Sequence, residues 1–180
     1  NEQTDCNIFR IEQNAVLVFL HKIEKQFISD IENVINIELN SQSRSIIEKI
    51  QSKSNHLSDY FDIYNGVKPF EKGKGKPAQT AETLKTKPFV KEGEKPSEEW
   101  SPLLRGSLIG QYENKWNDNY WILYGEWLAA PRDKKIFDAP KKIVVRQTGD
   151  SIIATIIEDG IICRDNLHIC VPHESTKLSF

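Results

Sequence analysis

The 180-residue chain has no methionine and only three cysteines, Cys6, Cys163 and Cys170. Cysteines so few and so scattered build no disulfide framework, which fits a reducing compartment. No apolar run approaches the length of a membrane span, since the longest, Ala15-Val-Leu-Val-Phe-Leu20, stops at His21. A secretory leader is lacking too, because Glu2 and Asp5 stand where a basic region belongs. These absences predict a cytoplasmic protein with no membrane partner. With Asn1 in first place and no methionine to follow, the chain reads as an excised piece of something longer.

Surplus charge is lacking as well. A formal net charge of −2 argues against a strongly basic nucleic-acid binder. The balance is uneven, however: residues 1–64 carry 6 Lys/Arg against 10 Asp/Glu, whereas residues 65–180 carry 18 against 16. A small positive surplus suffices for a sequence-reading domain whose larger parent supplies other phosphate contacts. No two prolines are adjacent, and no glycine-rich loop joins a strand to a helix. Gly73 and Gly75 lie between lysines in a polar stretch, so they make a weak phosphate cradle.

Turning to what is present, Asn7 to Ile11 suits a strand. From Asn14, a plausible N-cap, the apolar positions Val16, Leu20, Ile23, Phe27 and Ile31 fall at helical spacing and predict a helix to about Asp30. Ile35, Ile37 and Leu39 then alternate with polar residues as a strand does. A second helix, capped by Ser41 or Ser43, carries Ile46, Ile47 and Ile50 as one stripe and ends at Ser52-Lys-Ser-Asn55.

The character changes after residue 55. Tyr60-Phe-Asp-Ile-Tyr64 is a strand candidate closing on Asn65-Gly66, a dipeptide suited to a tight turn. Lys72-Gly-Lys-Gly-Lys-Pro77 opens a Lys/Glu/Pro-rich segment that reaches about Pro102 and predicts a mobile loop. Strand candidates follow at Tyr120–Tyr124, Lys142–Gln147, Ser151–Ile157, Gly160–Arg164 and Leu167–Val171, with Glu158-Asp-Gly160 as a hairpin signal. The expected fold class is α+β: a mainly antiparallel β domain over residues 56–180, preceded by a helical connector over residues 1–55.

Several clusters invite chemistry. Asp133 with Lys134 and Lys135, or Glu94 with Lys95, have the residue types of a metal-dependent nuclease, but solvated loops gather such clusters by chance. Cys163, His168, Cys170 and His173 could converge on zinc, although their spacing fits no common module and two cysteines packed between paired strands account for them more simply. Tyr112, Trp116, Tyr120, Trp121, Tyr124 and Trp127 form either a stacking platform for bases or the core and rim of a small sheet, the second being the commoner use. Only six arginines occur in the chain, and Arg105, Arg132, Arg146 and Arg164 are four of them. An arginine fork pairs with guanine or grips phosphate, and the amide of Gln147 suits adenine. Ion pairs of Arg105 and Arg146 with Asp150 or Asp165 are the equally weighted structural alternative.

The stretches Leu57-Ser-Asp-Tyr-Phe-Asp-Ile-Tyr-Asn-Gly66, Leu103-Leu-Arg-Gly-Ser-Leu-Ile-Gly-Gln-Tyr112, Lys142-Ile-Val-Val-Arg-Gln-Thr-Gly-Asp150 and Cys163-Arg-Asp-Asn-Leu-His168 together resemble the TaqI-like C-terminal specificity domain of adenine-N6 DNA methyltransferases, including restriction enzymes that fuse modification and cleavage. The resemblance implies a target-recognition domain that enters the grooves of double-stranded DNA while a covalently linked catalytic domain takes the flipped adenine. It makes Asn65, Lys68, Lys72, Lys74, Lys76, Arg105, Arg132, Arg146, Gln147 and Arg164 candidates for DNA contact, with Arg146 favoured as a base reader. The family's catalytic Asn/Asp-Pro-Pro-Tyr/Phe loop is absent. The chain is therefore expected to carry no catalytic residue, no metal ligand and no cofactor, S-adenosylmethionine belonging to the missing domain. Two other classes stay open: an interaction module docking a restriction partner through the acidic first third, and a stand-alone metal-dependent nuclease.

Overall fold

A computed structural model describes residues 5–13, 15–23, 40–158 and 160–176. They fall into two compact units, Asn1–Asn55 and His56–Phe180. The strand expected at residues 35–39 lies outside the described residues, as does the stretch 24–30.

In the first unit, β1 (Cys6–Glu12) and β2 (Val16–Ile23) pair as an antiparallel hairpin, with a register shift between Ile8 and Phe9. This overturns the helix expected from Asn14. The run Ala15–Leu20 is apolar at almost every position, so the helical spacing of Val16, Leu20 and Ile23 carries no period of its own, and β-branched and aromatic side chains favour the strand. Phe9 and Phe19 meet edge to face across the hairpin at 5.6 Å. Helix α1 (Ser41–Gln51) follows the second expected stripe, but its cap is Asn40 and neither serine. The Asn40 side-chain oxygen accepts from the Ser43 N–H at 2.8 Å, satisfying one of the donors a helix start leaves free.

The second unit is mainly antiparallel β, and the fold class is α+β. Its first sheet has the order β10 (Ala154–Glu158), β9 (Lys141–Arg146), β12 (Leu167–Pro172), β3 (Phe61–Asn65), antiparallel throughout. The second has the order β11 (Ile162–Cys163), β5 (Trp100–Leu104), β8 (Tyr120–Leu123), β4 (Val90–Glu92), with β11 parallel to β5. A short pair, β6 (Ile109–Gly110) and β7 (Glu113–Asn114), and one helical turn and a half, α2 (Ala81–Thr86), complete it. Alternation along the strands delivers Val144, Ile157 and Ile169 from one sheet and Leu103, Ile122 and Ile162 from the other to a single buried cluster. Among the described residues no helix is long and apolar enough to cross a membrane.

Three connections differ from expectation. Asn65-Gly66 makes no hairpin: the chain runs on, and Val67 bridges Arg164 while Lys68 bridges Ala130. Glycine is required at residue 66 because a Cβ there would lie 2.2 Å from the Arg164 carbonyl oxygen and 2.4 Å from that of Cys163. The turn ending at Gly160 is no hairpin either. It carries the chain from β10 in the first sheet to β11 in the second, with the Gly160 N–H donating to Phe137 at 3.1 Å.

The segment from Lys72 to Pro102, expected as a mobile loop, is built around buried Gln79. Its amide nitrogen donates to the carbonyls of Pro69 and Trp127, both at 2.8 Å, and its amide oxygen accepts from the Glu71 N–H at 2.9 Å. One polar side chain thus answers three backbone groups that burial would otherwise leave unpaired. Phe70 stacks on Phe89 at 5.7 Å beside it.

Lys142 is fully buried because its place in β9 faces inward. Its ammonium donates to the carbonyls of Phe137 at 2.7 Å, Ala139 at 3.2 Å and Glu158 at 2.7 Å, and so ties the start of β9 to the end of β10. Cys163 lies in the core against it, and burial pushes the thiol up to about 12.

Candidate nucleic-acid interface

The most distinctive polar site in the second unit forms around Tyr120, the first residue of β8. Arg105, directly after β5, lays its guanidinium over the tyrosine ring at 4.4 Å. Arg164, directly after β11, donates from Nη1 to the tyrosine hydroxyl at 3.0 Å. The two are brought together because β11 runs parallel to β5, so both strands end on the same edge. Glu92, closing β4, reaches Arg105 Nη1 at 3.0 Å. Asp165 stands 3.6 Å from Arg164 Nε.

Glu92, Arg105, Tyr120 and Arg164 line a cavity of about 240 Å³ together with Phe70, Val90 and Lys87, while Asp165 lies outside its lining. Lys87 closes α2 in a left-handed conformation, at φ 48°. Three cations therefore face one carboxylate across apolar walls. Arg105 Nε is buried with no hydrogen-bond partner, an isolation that costs about 1–3 kcal/mol. The site is preorganised for an anion or a strong acceptor.

The other expected contact residues form separate groups. Asn65 is exposed at the end of β3, Lys68 is paired with Glu71 at 2.7 Å, and Arg132 Nε donates to the Gly66 carbonyl at 3.2 Å. Lys72 and Lys74 are exposed on the segment held by Gln79, and Lys76 stands 3.8 Å from Glu126. Gln147 is exposed just past β9, its backbone N–H bound to the Asn166 carbonyl at 3.1 Å.

Arg146 does not make the ion pairs expected of it. Its partners are neither Asp150 nor Asp165. Nε donates to the Gly106 carbonyl at 2.9 Å, and Nη2 donates to the carbonyls of Gly106 and, at 3.2 Å, Ile109. Every two-donor edge of a guanidinium includes Nε or Nη2. To read a base with a fork, Arg146 would first have to release the loop it braces. Arg105 likewise pairs with Glu92 in place of the expected aspartates.

The aromatic cluster is mostly packing. Trp116, Trp121 and Trp127 each donate their indole N–H to a backbone carbonyl at 2.9–3.0 Å. Tyr124 donates to the Arg132 carbonyl at 2.8 Å, and burial leads the Asp133 and Asp138 charges in raising its pKa. Tyr112 alone of the six projects, 87% exposed at φ 61°. Cys163 and Cys170 are buried in different sheets, and His173 pairs with Asp62 at 3.4 Å, so the proposed zinc set does not converge. Asp133 caps a short helical turn by accepting from the Lys135 N–H at 3.0 Å.

Arg105, Tyr120 and Arg164, which build this site, all fall within residues 101–179, and these residues match the family described as the TaqI-like C-terminal specificity domain. Over that segment the chain is similar to the family. The match implies a DNA-recognition specificity domain. No curated protein matches the chain. Sequence reasoning had singled out Arg105 and Arg164 of this TaqI-like domain by residue type. It missed Lys87, Glu92 and the double use of Tyr120, which only the strand order reveals.

Proposed function

We propose that the chain reads a specific double-stranded DNA sequence for an adenine-N6 methyltransferase of a restriction-modification system, acting in the cytoplasm on behalf of a covalently linked catalytic domain. The observation that carries this reading is the cationic site around Tyr120 inside the TaqI-like segment. Arginine forks and a lysine suit phosphate and base edges, and preorganised donors give affinity without a large net charge.

S-adenosylmethionine would be held by the catalytic domain. Gly73 and Gly75 do not make a cradle for it: they belong to the turn closed by Gln79, and a Cβ on Gly75 would lie 2.4 Å from the Trp127 carbonyl oxygen. A protein contact is the second reading, carried by the first unit, whose hairpin leaves Phe9, Ile11, Leu17 and Phe19 exposed.

Selection of duplexes from a random-sequence library by the full chain tests the reading. Enrichment of one short motif is the expected outcome. Equal retention of all duplexes at physiological salt, or of none, would remove the specificity role.

A further inference from the structure

We propose that the cavity around Tyr120 seats a single phosphodiester of the DNA backbone, so that it fixes the domain's register on the duplex and reads no base. The proposal rests on the DNA-recognition reading and narrows it. Stacking of an unpaired base needs a free aromatic face, and little is on offer: Tyr120 is buried with Arg105 over its ring at 4.4 Å, and Phe70 has one face stacked on Phe89 at 5.7 Å.

What the cavity offers instead is positive charge in fixed places. Tyr120 holds one guanidinium by its ring and the other by its hydroxyl, 3.0 Å from Arg164 Nη1. Arg105 Nε is an idle buried donor. Lys87 adds a mobile cation at the rim, suited to a charge with no directional demand. A backbone phosphate supplies acceptors to all three cations, and the cavity of about 240 Å³ admits a phosphate group. Glu92, bound to Arg105 at 3.0 Å, occupies the place of that anion in the free protein. Entry of phosphate must displace it.

This gives the proposal an asymmetric test. Binding of a fluorescent random-sequence duplex to the full chain is measured across a salt series for wild type, Glu92→Gln and Lys87→Ala, two substitutions of exposed residues, with the fold of each checked by its melting curve. In parallel, the Arg105 and Arg164 Nε–H signals are followed by NMR during addition of the duplex or of inorganic phosphate. Glu92→Gln should tighten duplex binding several-fold by removing the competing carboxylate. Lys87→Ala should weaken it and lower the slope of log affinity against log salt by about 0.9, one phosphate contact. Both arginine signals should move with duplex, and millimolar phosphate should compete.

A duplex that binds while the arginine signals stay still and Glu92→Gln changes nothing would overturn the phosphate seat and leave DNA recognition standing. Movement with inorganic phosphate alone, the duplex being bound elsewhere, would assign the cavity to a free anion and also overturn it. Absence of duplex binding by every variant would remove both readings.

Discussion

At the scale of single residues, the guanidinium of Arg146 and the thiol of Cys163 each lead to an expectation. Arg146→Lys keeps the charge but cannot reach the Gly106 and Ile109 carbonyls together. It should cost about 2 kcal/mol, read as a lower urea midpoint, because charge-assisted bonds to buried carbonyls are lost. Its effect on preference among duplexes should be nil, whereas a base-reading arginine would show the reverse pattern. Burial disfavours the Cys163 thiolate and pushes the folded thiol up from its ordinary 9.0 to about 12. Above pH 9 the unfolded chain loses this proton while the folded chain keeps it, so stability falls as pH rises from 9 towards 12, by up to about 1.4 kcal/mol per unit. Below pH 9 the group contributes no slope. Melting curves between pH 8 and 11 should show that decline, and Cys163→Ala should flatten it.

At the scale of elements, the decisive contact is the crossing of Gly66 over the end of β11. The Val67 N–H donates to the Cys163 carbonyl and the Asp165 N–H to the Val67 carbonyl, both at 2.8 Å, which is why no side chain fits between. Gly66→Ala should destabilise by about 3 kcal/mol or more, measured by chemical denaturation, since the clash is with backbone that cannot swing away. What could be read beforehand follows the same logic. Strands β8, β9 and β12 were legible because short apolar runs stand between turn residues. Strand β2 was not, because its continuous apolar run has no period. The order around Gln79 was hidden for another reason: the carbonyls it binds are 10 and 48 residues away in the chain. The candidate site was half legible on the same ground. Its arginines were visible by type, but Lys87 and Glu92 come from α2 and β4, in the segment expected to form no structure.

At the scale of the whole molecule, the core cluster of the second unit runs from Val67 to Ile169 and, among the described residues, includes none of the first 55. Residues 56–180 should therefore fold alone, giving dispersed NMR amide signals and one cooperative melt. A molten, non-cooperative product would show that the first 55 residues are needed to complete the fold. The strand order has a kinetic corollary. Among the described residues strand β3 has only one neighbour, β12, with Phe61 opposite Pro172, and between β10 and β12 the chain leaves its sheet to insert Ile162–Cys163 beside β5. Pairings this distant in sequence place the domain among slow folders, on the millisecond-to-second scale. During synthesis, β3 must wait for more than a hundred further residues with its edge open. Nascent chains stalled before Leu167 would thus be exposed to mispairing at that edge, a period in which a chaperone that covers strand edges would matter more than at any later time.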